Sequence, residues 1–212
     1  MKTFSRRNFV RNLSGLALTP VISNSAAALL ATPKQSAGPF YPDQMPLDDD
    51  NDLTQVKNMN RPAYGEFTDL SGKLLDLNGR HIPNALIEIW QCDINSRYRH
   101  SRDSGQKPVD PGFQGFGKTL TDSNGQYRFR TIRPVAYPGR TPHIHVAVFI
   151  GNQSPFVTQL YNENEPQNSQ DFLYRSVPPE LRYLITSKFE ATAEADISYR
   201  ANWDIVVGIK GI

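Results

Sequence analysis

The stretch GKTLTDSNGQYRFRTI, residues 117–132, decides the fold class of this 212-residue chain. It holds two short runs of β-favouring residues on either side of Asn124-Gly125, a dipeptide typical of a tight turn between strands. The same layout occurs earlier, where Asn78-Gly79 separates GEFTDLSGKLLDL from NALIEIWQCD. We therefore expect a β-hairpin around each Asn-Gly pair.

Further apolar runs extend this β pattern toward the C-terminus. HIHVAVFI, PFVTQLY and NWDIVVGIKGI each have the length and composition of a strand. The one convincing helix is PPELRYLITSKF, residues 178–189, in which prolines occupy the first turn. Several short strands separated by Gly and Asn turns predict a mostly β protein. We expect residues 65–212 to form an antiparallel β-sandwich with one short helix near the C-terminus.

The chain before this domain divides into two segments of different composition. Residues 32–64 are rich in proline, aspartate and asparagine and show no hydrophobic period. Such a composition favours an extended arm that lies on the surface of the domain.

Residues 1–31 are basic at the start, then weakly apolar, and end in a cluster of alanines. The SRRNFV core, with Arg6 and Arg7, resembles a twin-arginine export signal. The alternative is a frayed amphipathic helix. A membrane anchor is disfavoured because Pro20 and the polar residues 23–25 interrupt the apolar run, so we expect no stable membrane insertion. An export signal of this type predicts a periplasmic or secreted protein that crosses the membrane folded.

Composition limits the classes of function. The net charge of +2 comes from 23 basic and 21 acidic residues without a long basic run, which argues against a nucleic-acid partner. A small-molecule substrate remains open, and a homo-oligomer is compatible with the sequence. Cys92 is the only cysteine, so an internal disulfide and a cysteine-based metal site are excluded. Any metal in this protein must be held by nitrogen and oxygen ligands.

The stretch YPGRTPHIHVAVFI, residues 137–150, contains two of the four histidines. On a strand, His143 and His145 would project from the same face, an arrangement suited to a metal. Tyr137 precedes them on the same loop, and Tyr98 follows the strand LIEIW. Phenolate is a hard anionic donor, and its pKa of about 10 requires a strongly charged cation to displace the proton at neutral pH. This donor set favours mononuclear ferric iron.

At these residues the chain resembles the intradiol ring-cleavage dioxygenases, in particular the protocatechuate 3,4-dioxygenase branch. The resemblance is densest over NALIEIWQCDINSRYRH, over residues 112–146 and over TQLY. It implies a non-haem Fe(III) held by Tyr98, Tyr137, His143 and His145. It also implies a catechol-type substrate and O2, with cleavage between the two hydroxyl-bearing carbons to a cis,cis-muconate-type diacid.

The resemblance also assigns roles around the metal. Arg140 would stabilise negative charge on the substrate, Tyr137 would leave the metal to accept a substrate proton, and Gln159 would line the pocket. In the protocatechuate enzymes the loop after the second tyrosine is longer, whereas only Pro138 and Gly139 separate Tyr137 from Arg140 here. We therefore expect an altered substrate pocket.

Two other classes of function are compatible with the same residues. One is an exported, non-catalytic β-sandwich module whose tyrosines pack in the core. The other is a different metalloenzyme, such as a copper or zinc hydrolase that uses His143 and His145. The colour of the purified protein separates these classes, because charge transfer from tyrosinate to Fe(III) gives a red-brown protein.

Overall fold

The computed structural model describes residues 28–46 and 48–208. The predicted export motif at Arg6 and Arg7 lies outside these residues. Within them the strands are β1 (Phe67–Asp76), β2 (Leu86–Trp90), β3 (Phe116–Leu120), β4 (Gln126–Ile132), β5 (His143–Phe149), β6 (Phe156–Asn162), β7 (Thr186–Ser187), β8 (Glu190–Ala191), β9 (Tyr199–Asn202) and β10 (Ile205–Val207). The α-helix α1 covers Phe172–Ser176, and 3-10 helices cover Pro166–Ser169 and Pro179–Ile185.

The strands form two sheets that pack against each other. One has the order β10-β1-β9-β8 with β4 also paired to β1, and the other has the order β3-β2-β5-β6-β7. The core between them combines apolar residues of both sheets, among them Leu70, Phe129, Ile89 and Ile144, all fully buried. The predicted mostly β sandwich is confirmed. Both sheets are mixed, because β9 and β10 run parallel to β1 and β7 runs parallel to β6.

The predicted pairing of the long strands across the two Asn-Gly turns is wrong, although both turns exist and residues 74–76 pair antiparallel with residues 80–82 across Asn78-Gly79. Gly79 and Gly125 take positive φ values of 75° and 68°, as the sequence suggested. The strands that flank each turn nevertheless enter opposite sheets: β1 pairs with β4, whereas β2 pairs with β3 and β5. A turn dipeptide specifies a local reversal of the chain, but the choice of partner strand depends on burial of both apolar faces.

The predicted helix over residues 178–189 is a 3-10 helix that ends at Ile185. It ends there because Thr186–Ser187 pair in parallel with Tyr161 and Asn162 of β6. The short α-helix lies immediately before it and begins after Asp171, whose carboxylate accepts hydrogen bonds from the amides of residues 173 and 174. None of the described helices is long and apolar enough to cross a membrane.

The predicted site residues lie on the outer face of the second sheet rather than in the central core. Along β5, Ile144, Val146 and Val148 point into the central core, so the histidines between them point outward. A second apolar cluster, which includes Trp90 and Tyr98, forms on this outer face. Residues 33–41 of the arm cross it, and the amide of Gln35 donates to the carbonyl of Val157 at 2.9 Å. The arm thus covers the outer face of β6 and β5.

Candidate metal centre

The two histidines of β5 meet at their Nε2 atoms. His143 and His145 are each 1% exposed, and their Nε2 atoms are 3.1 Å apart. When two nitrogen ligands each lie about 2.1 Å from one metal ion and the N–metal–N angle is roughly 90°, the two nitrogens are about 3 Å apart. The strand geometry therefore holds both imidazoles at the separation that a shared metal ion requires.

Hydrogen bonding and burial leave both rings neutral with a lone pair available. The carbonyl of Thr141 can only accept, so Nδ1 of His143, 2.7 Å away, carries the proton and Nε2 does not. Burial, followed by the nearby Arg140 charge, lowers the pKa of His143 to about 3. Burial also lowers the pKa of His145 far below its usual value. Neutral imidazoles are the form that binds metals.

The structure brings both predicted tyrosines to the histidine pair. Tyr98 lies on the loop after β2, and its ring is 5.4 Å from the ring of Tyr137 and 6.1 Å from that of His145. The ring of Tyr137 is 5.6 Å from that of His143. Tyr98 is 3% exposed, whereas Tyr137 is half-buried. All four predicted ligands therefore belong to one cluster of side chains.

A polar atom without a partner supports a metal at this cluster. Among the described residues, Oη of Tyr98 is buried and makes no hydrogen bond. Burial raises the pKa of Tyr98 well above its usual value, so a strongly charged cation is needed to ionise it. Residues 28–46 and 48–208 contain no group of three His, Cys, Asp or Glu side chains that could hold a metal. The donor set fits Fe(III), with two phenolate oxygens and two imidazole nitrogens.

Arg140 lies beside the cluster, and its guanidinium forms hydrogen bonds with several neighbouring side chains. Its Nη1 is 3.4 Å from both Oη of Tyr137 and Nε2 of His143. Its Nη2 donates to Oε1 of Gln159 at 2.6 Å, and its Nε donates to Oδ2 of Asp171 at 2.7 Å. The predicted residues Arg140 and Gln159 thus contact each other next to the metal cluster.

The sequence profile of the Dioxygenase family matches residues 36–208. The β chain of protocatechuate 3,4-dioxygenase from Burkholderia cepacia is 36% identical over 168 residues, 74% of this chain and 71% of that protein. The chain belongs to the intradiol dioxygenase family. The match begins at residue 36, so it includes most of the arm that sequence analysis separated from the domain.

Other members of the intradiol family are also similar to this chain. A catechol 1,2-dioxygenase from Acinetobacter baylyi is 28% identical over 68% of this chain and 50% of that enzyme. The chain thus spans about half the length of that relative. The dioxygenase domain of a carbohydrate-binding fusion from Streptomyces sp. SirexAA-E superposes with a TM-score of 0.64 at 25% identity, covering 85% of this chain and 99% of that one. An intradiol dioxygenase from Tetranychus urticae shares the fold, with a TM-score of 0.68 at 20% identity, covering 85% of this chain and 95% of that one.

Sequence analysis missed the residues of the arm and of β2 that enclose this intradiol site. Phe40 stacks on Tyr98 with ring centroids 4.7 Å apart, and Trp90 stacks on His145 at 4.8 Å with an interplanar angle of 3°. A Cβ added to Gly38 would lie 3.3 Å from Cε1 of His145. The position of Trp90 on the strand face could have been read from its alternation with Ile89, but no sequence pattern placed the arm here.

Asp171 and Tyr161 were also missed, and both contact Arg140. Tyr161 lies directly across from His143 in the β5–β6 pairing and is fully buried. Burial alone would raise the pKa of Asp171, but hydrogen bonds from Arg140, Tyr174 and Thr141 hold it below its usual value. Asp171 is therefore an ionised partner of the arginine. Its position before a five-residue helix gave no signal of this contact.

Two clefts border the cluster, one at each tyrosine. One of about 430 Å³ is lined by Phe40, Tyr98 and Phe116, among others, but by neither Tyr137 nor Arg140. The other, of about 280 Å³, is lined by both Tyr137 and Arg140. The smaller cleft reaches the residues with assigned roles in turnover.

Proposed function

We propose that this protein is an Fe(III)-dependent intradiol dioxygenase of the protocatechuate-like branch. It would cleave a catechol between its hydroxyl-bearing carbons with O2 and release a cis,cis-muconate-type diacid. One observation carries this proposal: Tyr98, Tyr137, His143 and His145 converge next to Arg140 in a chain of the intradiol family.

Bound Fe(III) would supply a Lewis-acidic centre that accepts both catechol oxygens and draws electron density from the ring. The residues of the cluster divide into those that would only hold the metal and those that would take part in the reaction. Tyr98, His143 and His145 are almost fully buried. Tyr137 is half-buried and lies on a loop with Gly139, which takes a φ of 82° and at which an added Cβ would meet no atom within 4 Å. Tyr137 is therefore the ligand that can swing away.

Tyr137 can act as the internal base during substrate binding. Burial raises its pKa above the usual value, although Arg140 opposes this shift. A phenolate freed from a cation in this environment takes up a proton at neutral pH. Oη of Tyr137 would thus hold one of the two protons that a catechol loses.

Arg140 can stabilise the negative charge that develops on the substrate ring. Its guanidinium is fixed by Asp171, Gln159 and Tyr161, so no reorganisation is needed when charge appears. Preorganised donors in a site from which water is excluded contribute most to such stabilisation.

Colour and oxygen consumption test the proposed function together. The purified protein should be red-brown, contain one iron per chain and consume one O2 per catechol, with the ring-opened diacid as product. A colourless protein that binds zinc, or one that oxidises catechol to a quinone, would contradict the proposal. His81→Ala removes an exposed histidine that lies outside the cluster, so this variant should keep the colour and oxygen consumption of the wild type.

We also propose that the protein is exported folded to the periplasm or the medium. The support is the SRRNFV sequence, residues 5–10. Replacing Arg6 and Arg7 with lysine should retain the full-length precursor in the cytoplasm, as measured by fractionation. Unchanged export of the double variant would exclude a twin-arginine route.

A further inference from the structure

A cleft of about 280 Å³ opens from the metal cluster between the loop after Tyr137 and the segment before α1. We call it the substituent cleft; it is lined by Tyr137, Gly139, Arg140, Gln167, Gln170 and Asp171, among others. A cavity of about 150 Å³ already accommodates a benzene ring. The substituent cleft is therefore large enough for a side group on a ring that binds at the metal.

The short loop creates this space. The amide of Arg140 donates to the carbonyl of Tyr137 at 2.9 Å, so the chain reverses within four residues. Gly139, at the tip, has no atom within 4 Å of the position of a Cβ. The space next to Tyr137 thus remains open.

The charge of the substituent cleft is balanced. Its one cation, Arg140, is paired with Asp171, and the two side chains are 6% and 0% exposed. Gln167 and Gln170 are exposed and neutral. Among the described lining residues, no cation is free to pair with an anionic substituent, while the carboxylate of Asp171 would repel one.

The rim adds an apolar surface. Phe172 is 64% exposed, and its ring centroid lies 5.4 Å from the guanidinium carbon of Arg140. An exposed aromatic ring next to Arg140, together with the glutamine residues that line the cleft, is suited to a group that combines apolar area with hydrogen-bonding atoms.

We propose that the substituent cleft selects catechols that carry a bulky, uncharged ring substituent over those that carry a carboxylate. This inference rests on the proposed function. It names the substrate class of the same site: neutral catechols with an ester, hydroxyalkyl or comparable group.

A pair of probes with the same ring and substitution pattern but different substituent charge tests the inference. Methyl 3,4-dihydroxybenzoate and 3,4-dihydroxybenzoate differ in the substituent charge but share the ring and its substitution pattern. Anaerobic calorimetric titration of the iron-loaded protein should show at least about tenfold tighter binding of the ester, because the carboxylate of the acid would lose hydration in a cleft whose one cation is already paired with Asp171. Equal affinities, or tighter binding of the acid, would overturn the inference.

Variants at Gln170 test whether the ring substituent binds in the substituent cleft. Gln170→Lys adds a cation at the rim and should reduce the ester-to-acid affinity ratio about tenfold. Gln170→Trp fills the cleft and should lower kcat/KM for the ester at least about tenfold relative to kcat/KM for unsubstituted catechol. Gln153 is exposed on the turn at the far end of β5, so Gln153→Lys and Gln153→Trp are matched controls that should leave both ratios unchanged.

Unchanged ratios in both Gln170 variants would overturn the assignment of the cleft. The readouts also separate this inference from the function on which it rests. If the predicted ester preference appears in titration but no catechol supports oxygen uptake, the dioxygenase function fails while the ligand preference stands.

Discussion

Asp171 accepts a hydrogen bond from Nε of Arg140 at 2.7 Å and a second from the backbone amide of Thr141 at 3.0 Å. Its other oxygen accepts from the amides of Leu173 and Tyr174 at the start of α1. One buried carboxylate thus fixes the guanidinium, the loop that carries it and the following helix relative to one another.

Asp171→Asn should impair turnover while the metal remains bound. The amide has no charge to oppose that of Arg140, so the guanidinium is held less firmly, and we expect kcat to fall about 10- to 100-fold. Because the arginine charge is then uncompensated, binding of 3,4-dihydroxybenzoate should improve relative to its methyl ester. Steady-state oxygen uptake and calorimetric titration measure these two effects.

The control for this variant is Asp69→Asn. Asp69 is also a largely buried carboxylate paired with an arginine, Arg128, but it lies on the other sheet. If both variants lose activity equally and neither changes the acid-to-ester ratio, the role of Asp171 is only structural.

Tyr98→Phe and His145→Ala should each lose bound iron and the red-brown colour together. Both side chains are almost fully buried in the cluster, and the described residues offer no alternative group of His, Cys, Asp or Glu ligands. Iron content by elemental analysis and visible absorption check this. Tyr183→Phe, at a 60% exposed tyrosine, should leave both unchanged. Full iron content in His145→Ala would remove it from the ligand set.

The sequence was sufficient to identify the centre of the candidate site because its signals are local. His143 and His145 are two apart on a strand, and Arg140 precedes them on the same loop. The contacts of Phe40 and Asp171 with the site could not be predicted in this way. They depend on how distant segments pack against the outer face of β5, and neither segment has a periodic pattern that indicates its partner.

The same distinction explains the errors in the fold. Gly79 and Gly125 adopt the positive φ values that their turns require. Asp76 and Asp122 each accept two backbone amides within their own turn. These contacts are within a few residues and determine each turn, but none of them determines to which sheet the next strand belongs.

Arg140→Lys should retain iron and bind catechol but lose at least about tenfold in kcat. Lysine keeps the positive charge but cannot donate simultaneously to Asp171, Gln159 and Tyr137, which the guanidinium contacts from three nitrogens. Single-turnover and steady-state oxygen uptake distinguish the chemical step from binding. Arg175→Lys, at an exposed arginine on α1, is the control. A wild-type kcat in Arg140→Lys would show that a positive charge at this position is sufficient for turnover.

Asp110 should make the stability of the protein depend on pH below about 5. Burial alone would raise its pKa, but the amide of Tyr64 and the guanidinium of Arg61 hold the pKa below its usual value. A lowered folded-state pKa stabilises the protein above the unfolded value of about 3.9, and this contribution is lost as the pH falls through the folded value.

Asp110→Asn should therefore destabilise the protein by about 1–3 kcal/mol at pH 7 and by progressively less in acid. Thermal unfolding of the wild type and the variant between pH 3 and pH 7 measures this difference. Asp196→Asn, at an exposed carboxylate, is the control. A difference that stays constant over this range would show that the carboxylate charge does not contribute.

Tyr137→Phe tests whether the second tyrosine acts as a base. Tyr137 is the half-buried ligand that leaves the metal during turnover, so Tyr98, His143 and His145 should still hold iron in this variant, with a visible band shifted by the loss of one tyrosinate. Substrate binding should become slow, because Oη of Tyr137 no longer accepts a catechol proton and that proton must pass to solvent. Anaerobic stopped-flow absorption with catechol measures the binding rate directly.

The wild-type rate of catechol binding should be recovered in part as the pH rises, because hydroxide can then remove the proton. Tyr174→Phe, at a tyrosine that packs on Tyr161 and lies outside the ligand set, is the control. Rapid binding by Tyr137→Phe at neutral pH would show that another group accepts the proton.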